Sequence, residues 1–307
     1  MPKMKIVYID KASYLPEWGR KKLADLGDFV AYPDTPTPSV AAERLRDADI
    51  AIVEWTDITA DLLEKPGRLK CIVLVTTGYS FVDIAAARKK HVLVCNTPQY
   101  SRYSVAEHAI GMVLSLAKRL SQGDALVRAG HTEYTAHSIG KELYGTQLGV
   151  LGMGSIGSWV AHLGMGLGMK VGGHSRSKFS VEGVKQFELN SLLESSDVLV
   201  SCVSVNSASK NLLSRERLTK TKADSILVNI AGNSVLDEVA VADLLDAGHF
   251  YGVGFEEVSE TRLLRSPRTL LSPGTAWYTQ ASLDRNVEMF VETVRAFAIG
   301  QPRFVVN

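Results

Sequence analysis

The sequence predicts an α/β chain built as two doubly wound domains with parallel sheets, and three observations predict it. Apolar, strand-like runs alternate with helix-like stretches along the whole chain, which is the rhythm of βαβ units. A glycine cluster, Gly152-Met-Gly154-Ser-Ile-Gly157, follows at once on the apolar run Leu148–Leu151 and leads into a helical stretch, Ser158–Met169. A length of 307 residues with 46% hydrophobic content is long for one domain and comfortable for two.

The elements follow in order. Lys5–Ile9, Phe29–Tyr32, Ile50–Glu54, Cys71–Thr76 and Val92–Cys95 read as strands. Pro16–Leu26, Ala41–Asp47, Ala60–Glu64 and Val82–Lys89 read as the helices between them. Asn96-Thr97-Pro98 breaks the pattern, because a residue before proline is biased away from helix. Ser104–Leu120 then reads as one long helix, with Ser104 and Glu107 as a capping box and Val105, Ile110, Val113, Leu114 and Leu116 as its apolar stripe. The second domain repeats the rhythm through Leu148–Leu151, Gly172–His174, Val198–Val203, Ile226–Ile230 and Gly252–Phe255. Leu270-Leu271-Ser272-Pro273 ends it, and Ala281–Ile299 reads as a helix that returns the chain to the first domain. The boundaries are therefore 1–100 with 280–307 for one domain and 101–279 for the other.

Charged residues make up 22% of the chain at a net charge of +1, which offers no electrostatic reason for a nucleic-acid or membrane partner. No apolar run approaches the roughly 20 residues of a membrane span, and the N-terminal apolar segment reads as a strand, not a secretory signal. Cys71, Cys95 and Cys202 lie in strand-like runs without metal-ligand spacing, so the expectation is core packing, no metal and a cytoplasmic location.

The glycine cluster carries the chemistry. Its first glycine permits the tight strand-to-helix turn, the second lets backbone approach a pyrophosphate, and the third lets helix pack on strand. The pyrophosphate sits on the amides of the helix N-terminus, where Ser155 and Ile156 lie. A dinucleotide fingerprint usually has Asp or Glu about 20 residues further on, for the ribose 2′-hydroxyl. Here Ser175 stands in that place, followed by Arg176 and Lys178. A hydroxyl with a guanidinium suits a 2′-phosphate, so NADP is favoured and NAD remains possible. The plain alternative is that Arg176 is a solvated loop residue.

Further stretches resemble one family. Thr76-Thr77-Gly78-Tyr79 with Val82-Asp83, Asn96-Thr97-Pro98 and Ser104-Val105-Ala106-Glu107-His108-Ala109 are similar to the D-2-hydroxyacid dehydrogenases. So are Gly152–Gly157, Val228-Asn229-Ile230-Ala231 with Leu236-Asp237-Glu238, and Ser272-Pro273 with Ala276-Trp277-Tyr278-Thr279. The resemblance implies a flavodoxin-like substrate domain with an inserted Rossmann domain, a small-molecule substrate and a homodimer. It places Ser104, Val203, Ile230, Ala231, Gly232 and Glu256 with the fingerprint on the cofactor side.

The family's chemistry rests on an arginine, a histidine and a glutamate. The resemblance puts the arginine where this chain has Gly232 and the histidine where it has Gly274. Glu260 lies close to the glutamate position, although a strict count falls on Thr261. Without the arginine there is no bidentate clamp for a 2-keto carboxylate. Without the histidine no group titrating near neutral pH protonates the forming alkoxide.

Replacements are Tyr79, Tyr100, Arg102 and Tyr103, on loops the family places at the substrate cleft, each with a reading as pocket shape alone. Arg262, Arg265 and Arg268 could bind an anion or simply be solvated. His108 has a structural reading inside its helix, and Trp277-Tyr278 stack on a ligand or pack on a helix. Three functions follow: an NAD(P)H-dependent oxidoreductase acting on a carbonyl, imine or enone outside the usual 2-keto acids; a catalytically inactive regulatory protein, since Ala276–Ser282 resembles a stretch of the C-terminal-binding-protein corepressors; and a lyase or isomerase using bound cofactor. An intact cofactor turn beside a rebuilt pocket ranks the reductase first.

Overall fold

A computed structural model describes residues 3–65, 67–133 and 138–307. The chain divides into two compact units, Met1–Ser101 with Thr279–Asn307, and Arg102–Tyr278. Both are α/β with parallel sheets.

The first unit begins β1 (Lys5–Lys11), α1 (Glu17–Leu26), β2 (Asp28–Tyr32), α2 (Pro38–Asp47), β3 (Ile50–Val53), β4 (Cys71–Leu74), α3 (Ile84–Lys89) and β5 (Leu93–Cys95). Its five strands lie in the order β2-β1-β3-β4-β5, all parallel. Every residue of β3 and β4 is buried, as strands covered on both faces must be, and this is why they read as unbroken apolar runs. Ala60–Glu64 forms turns and not the expected helix, a segment of one turn being too short to hold helix by itself.

The second unit contains α4 (Arg102–Lys118), α5 (Leu120–Arg128), β6 (Gln147–Leu151), α6 (Ser155–Gly166), β7 (Lys170–His174), β8 (Val184–Gln186), α7 (Leu189–Ser195), β9 (Val198–Ser201), α8 (Arg215–Leu218), β10 (Ser225–Asn229), α9 (Glu238–Asp246), β11 (Phe250–Phe255), α10 (Thr261–Arg265) and β12 (Thr269–Leu271). The strand order is β12-β11-β10-β9-β6-β7-β8, again parallel throughout. The order reverses at β6, with β7 on one side and β9 on the other, which makes a topological switch point. One apolar core lies on each face of this sheet. The last helix, α11 (Gln280–Ala298), returns to the first unit, where Asn286 Nδ2 donates to Val75 O at 2.7 Å.

Two helix starts differ from the sequence expectation. Helix α4 begins at Arg102, so Ser104 is a buried residue of its first turn and not an N-cap, and there is no Ser104–Glu107 capping box. In the same turn the Tyr103 ring lies edge-to-face on Trp159 at 4.7 Å. Helix α6 begins at Ser155, three residues earlier than its apolar pattern, because Gly154 in extended geometry serves as its N-cap.

Candidate active site

The fingerprint folds as a strand, a turn and a helix. β6 ends at Leu151, Gly152 takes φ +96°, and its amide donates to His174 O at 2.8 Å. A side chain at Gly152 would be both conformationally strained and 2.8 Å from Val203 N. A β-carbon on Gly157 would lie 2.0 Å from Gly152 O, so the helix can approach the turn only through glycine. At Gly154, by contrast, a β-carbon would meet nothing within 4 Å. That open space lies against the α6 N-terminus, where the first-turn amides have no intrahelical partner and no side chain caps them.

The rest of the edge is consistent with a ligand there. Val203 follows β9, Ile230–Gly232 follow β10 and Glu256 follows β11, all at the carboxyl ends of the parallel strands. Ser155 Oγ, Ser201 Oγ and Asn229 Oδ1 are buried without a hydrogen-bond partner among the described residues. An open cradle, unpaired amides and orphaned polar atoms together fit a dinucleotide. Ser175, Arg176 and Lys178 follow the end of β7, adjacent to the Gly152 turn through the β6–β7 register. Arg176 and Lys178 are exposed, and no acidic residue occupies 175–178. Ser104 is buried in α4, the helix that packs on α6.

Beyond β11 the chain builds a tight polar network. Glu256 Oε1 accepts from Ala276 N at 2.7 Å and from Ser272 Oγ at 3.3 Å, while Ser272 Oγ lies 2.9 Å from His108 Nε2. His108 is thus tied to the Ser272–Ala276 turn. Inside that turn Gly274 has φ +68°, and a β-carbon there would lie 2.9 Å from Glu257 Oε1. Gly232 has ordinary φ −64°, with only Val205 Cγ2 in the way of a β-carbon, at 2.9 Å.

The remaining candidates separate by environment. Glu260 caps α10, accepting from Arg262 N at 3.1 Å, and pairs with the Arg262 side chain. Those contacts, first the backbone hydrogen bond and then the guanidinium, hold its carboxyl below the usual range. Arg262 also pairs with Asp243 at 2.6 Å and Asp246 at 3.5 Å, and Arg268 donates to Leu245 O, so both serve the packing of α9 and α10. Arg102 donates to Tyr103 OH and stacks on its ring at 4.6 Å. Trp277 and Tyr278 meet edge-to-face at 5.1 Å.

In the first unit Tyr79 is exposed on the loop after β4, whereas Tyr100 is buried and its hydroxyl is pushed up to about 12, by burial first and the Glu54 charge second. Sequence reasoning missed Tyr8, Asp10, Glu54 and Trp55, which gather at the carboxyl ends of β1 and β3. Tyr8 OH donates to Glu54 Oε2 and Trp55 Nε1 to Glu54 Oε1, both at 2.7 Å. Partners 46 residues apart leave no local signal.

Residues 110–276 match the family model of the D-isomer specific 2-hydroxyacid dehydrogenase NAD binding domain. The chain belongs to that family. It is 30% identical to a glycerate dehydrogenase of Methylorubrum extorquens, over 91% of this chain and 92% of that one. Among solved structures it is similar to an acyclic imino acid reductase, Bsp5, in complex with NADPH and D-Arg. That likeness has a TM-score of 0.94 and 31% identity, over 99% of this chain and 100% of the other. A D-lactate dehydrogenase from Aquifex aeolicus, complexed with NAD and lactic acid, is similar at a TM-score of 0.84 and 28% identity, over 97% and 96%. As a family member the chain is an NAD(P)-dependent oxidoreductase. No described helix is long and apolar enough to cross a membrane.

Proposed function

We propose that this protein reduces an acyclic 2-imino acid with NADPH, forming the D-amino acid. The observation that carries the reading is the backbone at Gly274, the position where the family resemblance puts the histidine. Its left-handed φ strains any residue with a β-carbon, and the Glu257 carboxylate, 2.9 Å from the β-carbon position, would have to move aside for an imidazole. A ketone needs a proton as hydride arrives, because the product is otherwise an alkoxide. A protonated imine carries that proton on nitrogen beforehand. As hydride adds to carbon, the C=N electron pair moves to nitrogen and a neutral amine results, so no acid need stand at 274.

Gly232 fits the same substrate. A guanidinium there would repel a protonated imine, and the substrate carboxylate, common to 2-oxo and 2-imino acids, is held without an arginine at 232. The likeness to an imino acid reductase over nearly the whole chain supports the reading independently.

Bound nicotinamide supplies the hydride. The chain's own residues hold and orient it: Gly152, Gly154, Ser155, Ile156 and Gly157 take the pyrophosphate, and Ser175, Arg176 and Lys178 take the 2′-phosphate, which favours NADP over NAD. Val203, Ile230, Ala231, Gly232, Ser104 and Glu256 line the remaining cofactor side. Tyr100, with its proton held firmly, donates a hydrogen bond and does not act as an acid. Tyr79 contacts substrate. Glu260, committed to α10 and Arg262, has no part in the chemistry.

In this reading Met1–Ser101 with Thr279–Asn307 binds substrate and Arg102–Tyr278 binds cofactor. The protein is a cytoplasmic homodimer, which suits its free cysteines and helix α5, where no residue is buried and Leu120, Leu126 and Val127 are exposed. Light scattering of the purified chain tests the dimer. The reaction is tested by NADPH oxidation with a 2-oxo acid in the presence and absence of ammonium, with chiral chromatography of the product. Turnover only with ammonium, giving D-amino acid, is expected. Turnover at roughly 1–10³ s⁻¹ on pyruvate, glyoxylate or hydroxypyruvate without ammonium refutes the reading.

A further inference from the structure

Trp55 lies two residues beyond β3, at the carboxyl edge of the first unit's sheet, and is 61% exposed. It is also fixed. Its indole N–H donates to Glu54 Oε1 at 2.7 Å, and the other Glu54 oxygen accepts from Tyr8 OH at 2.7 Å. Its backbone is held too, because Asp10 Oδ2 accepts the amides of Glu54 and Trp55 at 2.7 and 3.1 Å. Holding a large exposed side chain in one orientation costs rotamer freedom that packing does not return here. The ring faces make no aromatic or cation contact among the described residues.

The surroundings of this ring are negative. Asp10 is 1% and Glu54 2% exposed, and neither forms an ion pair among the described residues. Burial pushes the Glu54 carboxyl above the usual range, against the hydrogen bonds from Tyr8 and Trp55 that favour its charged form. Asp10 also accepts from Thr56 Oγ1, so both buried carboxylates are hydrogen-bonded, and what their charge lacks is a cation. In open parallel sheets the carboxyl edge is where ligands bind. A fixed, exposed aromatic ring with buried carboxylates beside it is suited to a flat cation, which the ring attracts by its quadrupole and accommodates by stacking.

We propose that Trp55, positioned by Glu54 and Tyr8, is the specificity-determining residue of this protein and stacks on a guanidinium side chain of the substrate. The proposal rests on the imino acid reading for the reaction, though the recognition it describes is measurable without turnover.

The test is calorimetric titration of the full chain, loaded with NADP⁺, using D-arginine and D-citrulline, its uncharged counterpart of nearly equal shape. The parent is expected to bind D-arginine at least about tenfold more tightly. Trp55→Leu is expected to bring the ratio close to one in a protein that stays folded, with a small fall in melting temperature from the lost indole–Glu54 hydrogen bond. Trp55→Phe, which keeps a ring face, retains part of the preference. Glu54→Gln keeps an acceptor for the indole and lowers the ratio while leaving D-citrulline affinity unchanged, whereas a merely structural role would weaken both ligands alike. Equal affinities in the parent, no binding of either ligand, or a ratio that survives Trp55→Leu overturns the proposal. Failure of every 2-oxo acid with ammonium to oxidise NADPH, alongside an intact arginine preference, refutes the imine reaction and leaves the recognition standing.

Discussion

Replacing Gly154 with valine separates cofactor binding from folding at a single residue. The residue has φ −83° and ψ −160°, an extended conformation that valine adopts readily, and its β-carbon would meet nothing within 4 Å. The fold should therefore tolerate it, and the loss of glycine's unfolded-state freedom adds about 0.4–1 kcal/mol of stability. The branched side chain occupies the space in front of the α6 amides. Losing two hydrogen bonds to a charged pyrophosphate costs about 3–6 kcal/mol, at about 1.5–3 each, or roughly 10²–10⁴ in affinity.

Melting curves with and without NADPH read both effects. At a hundredfold excess over Kd, bound ligand stabilises by about 2.7 kcal/mol, which for a unit of this size is a shift of about 5–10 °C. The parent should show that shift. Gly154→Val should show none, with an unliganded melting temperature at or slightly above the parent's. Gly157→Ala is the contrasting control: its β-carbon, 2.0 Å from Gly152 O, forces helix and turn apart and should cost about 1–3 kcal/mol before any ligand is added. A normal NADPH shift in Gly154→Val refutes the placement of the pyrophosphate. No shift in the parent refutes the cofactor assignment altogether.

Three other outcomes are expected. Arg176→Ala should weaken NADP by about 1–3 kcal/mol and leave NAD nearly unchanged; equal calorimetric affinities of the parent for both cofactors would remove the basis for this. Gly274→His should not create 2-keto acid reductase activity, because the imidazole would enter a left-handed backbone against Glu257; steady NADPH oxidation with glyoxylate by that variant alone would contradict it. Asp49 is lowered in spite of its burial, which by itself raises it, because Lys5 N, Arg68 and Lys70 hold its charged form. Its stabilisation is therefore present above the ordinary carboxylate range and lost as pH falls through the lowered value. Melting temperature against pH should fall less steeply on the acid side for Asp49→Asn, and parallel acid limbs would show that Asp49 contributes nothing there.

Much of the architecture is legible in the sequence because its signals are local. Buried parallel strands such as Ile50–Val53 and Val198–Ser201 are apolar runs by necessity. The fingerprint is legible because a turn, an approach and a packing contact each forbid a side chain within six residues. Helices α5, α7, α8, α9 and α10 escape because they are short or weakly patterned, and tertiary packing decides whether such segments fold as helix. The start of α4 escapes for a related reason: burial of Ser104 and the Tyr103–Trp159 contact outweigh the cap that its spacing offers.

By itself, the sequence determined the fold class, the glycine turn for the dinucleotide and the glycines at 232 and 274, since each is a matter of residue type at a local spacing. Only the tertiary structure decided that Gly274 takes a left-handed backbone beside Glu257, that Glu260 belongs to a helix cap, and that Glu54 and Tyr8 fix an exposed tryptophan. Those outcomes depend on groups that lie far apart in the chain, Tyr8 and Glu54 by 46 residues and Ser272 and His108 by 164. Which distant groups meet, and therefore which charges are paired and which faces stay open, is set when strands align in a sheet, and no periodicity along the chain records it.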